Sequence, residues 1–389
     1  MEKISLLSSI DHIFTGIGSY PIEFIFVYNK RINENKLKES LQKTLGFFPM
    51  IASKLLRYDE HTYAFELSPD GLILEVLESQ ITFEENDEKY NYINPVDTRE
   101  GNPLTKIKLT HTPHGSVLGI SISHSIADGF SYFHFLSSWA RIFHGKQIFP
   151  PIHQRQLLIS KEPTEELITQ KEVFDRAGLF MDNKRTPVAK KDLKWKTKFF
   201  ANEELKDRLS KAQIDCDLRL SYNDIITALL AKEFLPDWTS NDSEEICYIS
   251  CPVDFRRIEE GFPKTYFGNA VVLASKRMEY KTLENISLSD LAGIIRSNVG
   301  KVNDIYIDQS VSVLASLRKQ KNPEIFEYIH VMHPRTGLLI TNLSRLPVHE
   351  IEFNAGPPIK YDILTQSVRG AVILPGQDGL EARICCPVN

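Results

Sequence analysis

The chain has 389 residues, with 46 Lys and Arg against 51 Asp and Glu, for a formal net charge of −5. At that length a single core stops growing, so two domains or one large two-part fold are expected. A mildly acidic chain has no electrostatic reason to coat nucleic acid or an anionic membrane, and no apolar run reaches the ~18 residues that would suggest a membrane span. The opening Met1-Glu2-Lys3-Ile4-Ser5-Leu6-Leu7-Ser8 lacks the basic-then-apolar pattern of a secretory signal. The five cysteines are odd in number, and Cys385 and Cys386 are adjacent. That pattern argues against a disulfide framework and for a reducing cytoplasm. Cys247 and Cys251 fall in a strand-like run and read as inert core thiols.

Phe24 to Tyr28 is a β-prone apolar run and predicts a strand. Leu37, Leu41, Thr44 and Leu45 recur at helical spacing, with Asn33 or Asn35 as cap and Gly46 and Pro49 as terminators. Strands are expected over 72–77, 106–110 and 117–123. In the last of these, Leu118, Ile120 and Ile122 face one way and Gly119, Ser121 and Ser123 the other. So small a face lets another segment pack closely. After His124-Ser125-Ile126-Ala127-Asp128-Gly129 the period changes: Phe130, Phe133, Leu136, Trp139 or Ala140, and Phe143 mark an amphipathic helix. Residues 146–195, with Pro150-Pro151, Pro163, Pro187 and polar runs such as Lys184-Arg185, read as a crossover linker holding a short helix within 165–179. The parts on either side are 1–145 and 196–389. Ser221-Tyr222-Asn223-Asp224 opens a helix as a capping box. Further strands are expected over 246–253, 270–274 and 338–341. Strands and helices mix irregularly, which predicts an α+β fold with mixed sheets.

Several familiar sites are missing from the sequence. There is no P-loop and no Gly-x-Ser-x-Gly elbow. Gly16-Ile17-Gly18 has two glycines of a dinucleotide fingerprint but no strand before it. His111 and His114 flank Pro113 in an expected hairpin turn and read as solvated rather than as metal ligands, so no metal is expected. The segment that carries chemistry is His124 to Gly129. A histidine at the end of a small-faced strand can take a proton near neutral pH. Asp128, four residues on, precedes a helix. The same residues also allow a plain N-cap and a hydrogen-bonded core histidine.

His124-Ser125-Ile126-Ala127-Asp128-Gly129, followed by Ser131 and Trp139-Ala140, resembles the HxxxDG signature of the BAHD acyltransferases, relatives of chloramphenicol acetyltransferases and condensation domains. Leu7-Ser8-Ser9-Ile10-Asp11 is similar to the family's LSxxD opening, and Ser221 to Asp224 to its SxxD helix. Val253-Asp254-Phe255-Arg256 resembles VDxR, and Tyr266-Phe267-Gly268-Asn269 resembles YFGN. The order holds along nearly the whole chain. Thr341-Asn342-Leu343-Ser344-Arg345-Leu346-Pro347 stands where the family writes TSWxRFP, so leucine replaces a tryptophan. The family's DFGWG falls on Glu352-Phe353-Asn354-Ala355-Gly356, with Phe353 and Gly356 kept.

The resemblance implies two chloramphenicol-acetyltransferase-like lobes with a substrate tunnel between them. It implies acyl transfer from acyl-CoA, as cosubstrate, to a hydroxyl or amine of a small molecule, through a ternary complex and without an acyl-enzyme. His124 would be the general base. Asp128 would pair with Arg256 (Arg257 being the competing partner) and brace the histidine's loop. Gly129 would let substrate near the backbone or supply a permissive turn. Thr341, Asn342 or a backbone N–H would meet the oxyanion or cofactor, and Ser221 and Asp224 would line the tunnel or merely cap their helix. A monomer without nucleic-acid or membrane partners is expected. Two other readings stay open: a carrier-protein-dependent condensation-type enzyme, which usually has a second histidine where this chain has Ser123, and a degenerate relative that only binds an acyl group.

Overall fold

The computed structural model describes residues 4–15, 20–67, 72–84, 88–159, 167–182, 193–239, 246–321 and 323–387. Gly16-Ile17-Gly18, Lys184-Arg185 and Lys190-Lys191 lie outside the described residues.

Two mixed sheets organise the chain. The first runs in the order β14 (Lys360–Ile363), β2 (Pro21–Tyr28), β7 (Gly115–Ser123), β6 (Thr105–Thr112), β5 (Leu72–Glu78). Its strands are antiparallel except for the β5–β6 pair. Helices α1 (Glu34–Leu45) and α2 (Gly129–Phe143) share its core. A small sheet of β1 (Ile4–Leu6), β4 (Tyr63–Leu67) and β3 (Ser53–Arg57) adjoins it. The alternation in β7 explains the layering. Leu118, Ile120 and Ile122 enter the main core. The small face is covered by the 92–98 segment: a Cβ on Gly119 would lie 2.0 Å from the Tyr92 carbonyl oxygen. Val96 N donates to Ser121 Oγ at 3.0 Å, and Ser123 Oγ bonds Thr98 Oγ1 at 2.7 Å. α1 begins where Asn33 accepts from Lys36 N at 3.0 Å, and Leu37, Leu41 and Thr44 are its buried face.

The second sheet runs β11 (Val271–Glu279), β10 (Ile246–Asp254), β13 (Gly337–Asn342), β15 (Gly370–Gly376), β16 (Gly379–Pro387), β9 (Leu193–Ala201). β13 is parallel to both neighbours and the other pairs are antiparallel. One core joins it to α4 (Asn202–Ile214), α5 (Tyr222–Thr239), α6 (Tyr280–Asn285) and α7 (Leu288–Val299). Another joins it to α3 (Gln170–Ala177) and α8 (Asp304–Lys321). β8 (Phe180–Met181) pairs with β12 (Ile329–His330). The fold is the two-lobed α+β arrangement expected from the sequence. β14 comes from the second half of the chain yet completes the first sheet, which ties the lobes together.

His111 departs from expectation. It is not solvated in a turn but buried in β6, where Nδ1 bonds Ser116 Oγ at 2.9 Å. The hairpin turn is tighter than the Pro113 signal suggested, and Pro113 and His114 are the exposed pair there. Phe353 packs edge-on against Trp139 and Phe143, so the altered 352–356 stretch still delivers its aromatic ring to the core. Cys247 and Cys251 are buried, and burial pushes their thiols up to about 11 and about 12. Among the described residues no helix is long and apolar enough to cross a membrane.

Candidate active site

β7 ends at Ser123 and α2 begins at Gly129, so His124 to Asp128 form the turn between them. The His124 ring stacks on Phe14, with centroids 3.8 Å apart and an interplanar angle of 17°, and Tyr20 meets it edge-on at 6.0 Å. Its Nδ1 lies 3.0 Å from Asn269 Oδ1. Asn269 Nδ2 donates to Asp11 Oδ1 at 2.7 Å and to the His124 carbonyl at 2.8 Å. Both partners are acceptors, so the amide nitrogen must face them and the amide oxygen must face the ring. Nδ1 therefore carries the proton and Nε2 the lone pair. Nε2 has no hydrogen-bond partner among the described residues. Asp11 is held in turn by an ion pair with Arg155, both fully buried, and Arg155 Nη2 donates to the Ile126 carbonyl at 2.8 Å. Burial pushes the His124 imidazole below its ordinary value; Asp128, its own carbonyl and Asn269 oppose this without reversing it.

Asp128 turns away from the ring and toward the other lobe. Its Oδ1 accepts from Ser131 N at 2.9 Å, which caps α2, and from Arg256 Nη2 at 3.0 Å. Its Oδ2 accepts from Arg256 Nη1 at 2.8 Å and Ala270 N at 3.0 Å. The cap and the ion pair set out as alternatives by the sequence are thus both present. Burial alone would raise the Asp128 carboxyl, but Arg256 and the two backbone N–H groups hold it below its ordinary range. Arg256 spends its remaining donors on Ser131 Oγ, Asp254 and the carbonyls of Tyr266 and Gly268, and its guanidinium lies over the Phe130 ring at 4.5 Å. Arg257 is exposed; the partner is Arg256.

A cavity of about 230 Å³ opens beside these residues. His124, Asp128, Gly129, Thr341 and Asn342 all line it, with Phe14, Phe130, Leu339, Leu343 and Leu346 supplying apolar wall. Gly129 has no left-handed backbone angle; a Cβ there would sit 3.2 Å from a Leu343 methyl, so closeness to the opposite wall is what the glycine provides. The Thr341 hydroxyl has no hydrogen-bond partner among the described residues. Asn342 donates to Asn223 Oδ1 at 3.0 Å and accepts from Ser344. Ser221 and Asp224 do not line the cavity. Asp224 Oδ2 accepts from Ser221 N at 2.7 Å and Arg296 Nε at 2.9 Å, and Asp224 is fully buried. Their helix is linked to the cavity wall by Asn223, which accepts from Asn342. Asp11, Phe14, Asp254 and Asn269 belong to the site although sequence reasoning assigned them no chemical role, Asn269 being read only as shaping a loop; Asp11, Asp254 and Asn269 lie inside the recognised motifs, which is the available signal.

Residues 4–388 match the Transferase family. The chain is a BAHD acyltransferase. Such an enzyme uses acyl-CoA as cosubstrate and acylates a hydroxyl or an amine. Similar proteins include a hydroxycinnamoyltransferase of Narcissus pseudonarcissus, 27% identical over 83% of this chain and 77% of that one. Another is anthranilate N-benzoyltransferase protein 1 of Dianthus caryophyllus, 27% identical over 89% and 80%. Among solved structures, F. graminearum TRI101 complexed with coenzyme A and T-2 mycotoxin covers 99% of this chain and 95% of its own, at a TM-score of 0.79 and 14% identity. Vinorine synthase gives a TM-score of 0.71 at 18% identity, over 98% and 89%. At these identities the solved structures speak for the fold.

Breaking a buried ion pair by removing one partner costs about 3–5 kcal/mol. Asp128→Asn and Arg256→Ala should each lower stability on that scale, and the double variant should lose far less than their sum. Urea unfolding of the three variants checks this; additive losses would mean that Asp128 acts as a helix cap alone.

Proposed function

We propose that His124 is the general base of this acyltransferase, acting through Nε2 on an acceptor held in the cavity. The observation that carries this is the lone Nε2 beside the cavity, with its opposite nitrogen tied to Asn269. The acceptor's oxygen or nitrogen attacks the thioester carbonyl carbon while Nε2 takes its proton. The tetrahedral intermediate then collapses, the C–S bond breaks, and the imidazolium returns the proton to the leaving thiolate. The thioester is already activated, so no covalent enzyme intermediate is required. Proximity and one base suffice.

Oxyanion stabilisation is assigned to the Thr341 hydroxyl, an uncommitted donor on the wall; Leu343 has none to offer. Asn342 has one amide hydrogen committed to Asn223 and its oxygen to Ser344, so it shapes the wall. Asp128 and Arg256 brace the turn that carries His124. Gly129 leaves room for substrate against the backbone. Ser221 and Asp224 are assigned the capping role, anchoring α5 through Arg296 rather than touching coenzyme A. The relatives' names point to hydroxycinnamoyl and benzoyl groups, and a cavity walled by Phe14, Phe130 and leucines suits such a flat apolar acyl group. Solved neighbours hold coenzyme A itself, and Ser123 rather than a second histidine precedes His124; both favour CoA over a carrier protein as donor. The odd cysteine count and the adjacent Cys385 and Cys386 support a reducing cytoplasm, and the chain is read as a monomer there.

His124→Ala should fold and bind CoA yet lose about 10²–10⁴-fold in thiol release from benzoyl-CoA with a competent acceptor; wild-type turnover would end the assignment. The pH profile carries its own sign. A base works only when unprotonated, and burial lowers the His124 pKa from its ordinary 6.5. The acid limb of kcat/KM should therefore fall below pH 6.5, with full activity retained at neutral pH. A limb above that value would contradict the buried setting.

A further inference from the structure

The floor of the cavity is built from three strand ends of the second sheet. β11 contributes Val271 and Leu273, β10 contributes Pro252 and Asp254, and β13 contributes Leu339 and Thr341. Asp254 is the last residue of β10, opposite Val271. Its Oδ1 is committed, accepting from Arg256 N at 2.9 Å and Arg256 Nη1 at 3.1 Å. Its Oδ2 has no partner among the described residues, and the side chain is 45% exposed, on the cavity that His124 lines.

The surroundings make that free oxygen informative. Both oxygens of Asp128, the other carboxylate on the wall, are already spent on Arg256 and backbone N–H groups. One guanidinium thus serves two carboxylates, which leaves one negative charge facing the cavity. Apart from His124, Thr341, Asn342 and Tyr20, the rest of the lining is apolar. An ionised carboxylate can only accept hydrogen bonds, so a ligand in the cavity engages that oxygen only by bringing a donor. Burial, reinforced by Asp128, already raises the Asp254 carboxyl against the pull of Arg256. A donor from the substrate would relieve that.

The partner's identity follows from position. Asn342, on β13, reaches the start of α5, whereas Asp254 stands one strand over, beside Val271. Coenzyme A is itself a polyanion, which a surplus negative charge does not favour. We infer that Asp254 Oδ2 binds a second hydrogen-bond donor of the acceptor, a hydroxyl or ammonium group separate from the one that is acylated. The preferred acceptor thus combines an apolar body with two donors. This rests on the acyltransferase reading, because that reading places an acceptor in the cavity.

Binding separates the two claims, because it needs no turnover. The probes are 1,3-benzenedimethanol and benzyl alcohol, which share a ring and one hydroxymethyl group and differ by the second. Their dissociation constants are measured by NMR titration of the CoA-loaded wild type and Asp254→Asn proteins, alongside the affinity of CoA itself. A hydrogen bond to a charged partner predicts that the wild type favours the diol by about 10- to 100-fold. Asp254→Asn should collapse that ratio to about 1 while CoA affinity holds. A purely structural Asp254 would weaken both alcohols together and leave the ratio unchanged. That result overturns the inference, as would a wild type without preference, an absence of diol binding, or a variant whose loss lies in CoA affinity. A failed thiol-release assay with an intact diol preference would count against the function and not against Asp254.

Discussion

One amide side chain sets the chemistry. Both donors of Asn269 are taken by oxygens that can only accept, Asp11 Oδ1 and the His124 carbonyl, so its own oxygen can only receive the Nδ1 proton. The imidazole is left with its basic nitrogen free beside the cavity. Everything behind Asn269 keeps that geometry in place. Arg155 neutralises Asp11 and grips the Ile126 carbonyl, and Phe14 lies flat on the ring. Groups whose rotamers are locked by buried partners cost no reorganisation at the moment of reaction.

The site exists only where the lobes meet. His124 and Asp128 come from the turn after β7, while Asn269, Arg256 and Thr341 come from the second half of the chain. Asp128 joins the two by capping α2 with one oxygen and receiving Arg256 on both. β14 joins them again by adding a strand of the second half to the first sheet. A reaction between two bound molecules needs them held together in one geometry. A cavity walled by two lobes and braced by a buried ion pair does that without a covalent intermediate.

The elements easiest to read in sequence were those with one clean face. β7 alternates between branched and small residues, and α2 carries an aromatic stripe, so period alone revealed them. α4 was missed because Leu205 and Ala212 are its buried anchors in a polar, charge-rich segment. β9 and β16 were missed because β9 carries Lys and Trp on an edge strand and β16 mixes Glu and Arg with cysteines. His111 misled because the His-Thr-Pro-His sequence looks like a turn while the strand continues through Thr112. In the site, the His124–Asp128 turn was legible as a motif, and so was its arginine by resemblance. The link from His124 to Asn269 and Asp11 was not. It joins residues 145 and 258 positions apart, and no local pattern records which side chains a fold will bring together.

The tautomer of His124 is the most direct measure of this account. In protein labelled with ¹⁵N-histidine, the His124 ring resonances, assigned by comparison with His124→Ala, report which nitrogen bears the proton. The account predicts a protonated Nδ1 and a pyridine-like, unprotonated Nε2 at neutral pH, and loss of that bias in Asn269→Ala. A proton resident on Nε2 would contradict it, because the nitrogen facing the acceptor could not then act as the base.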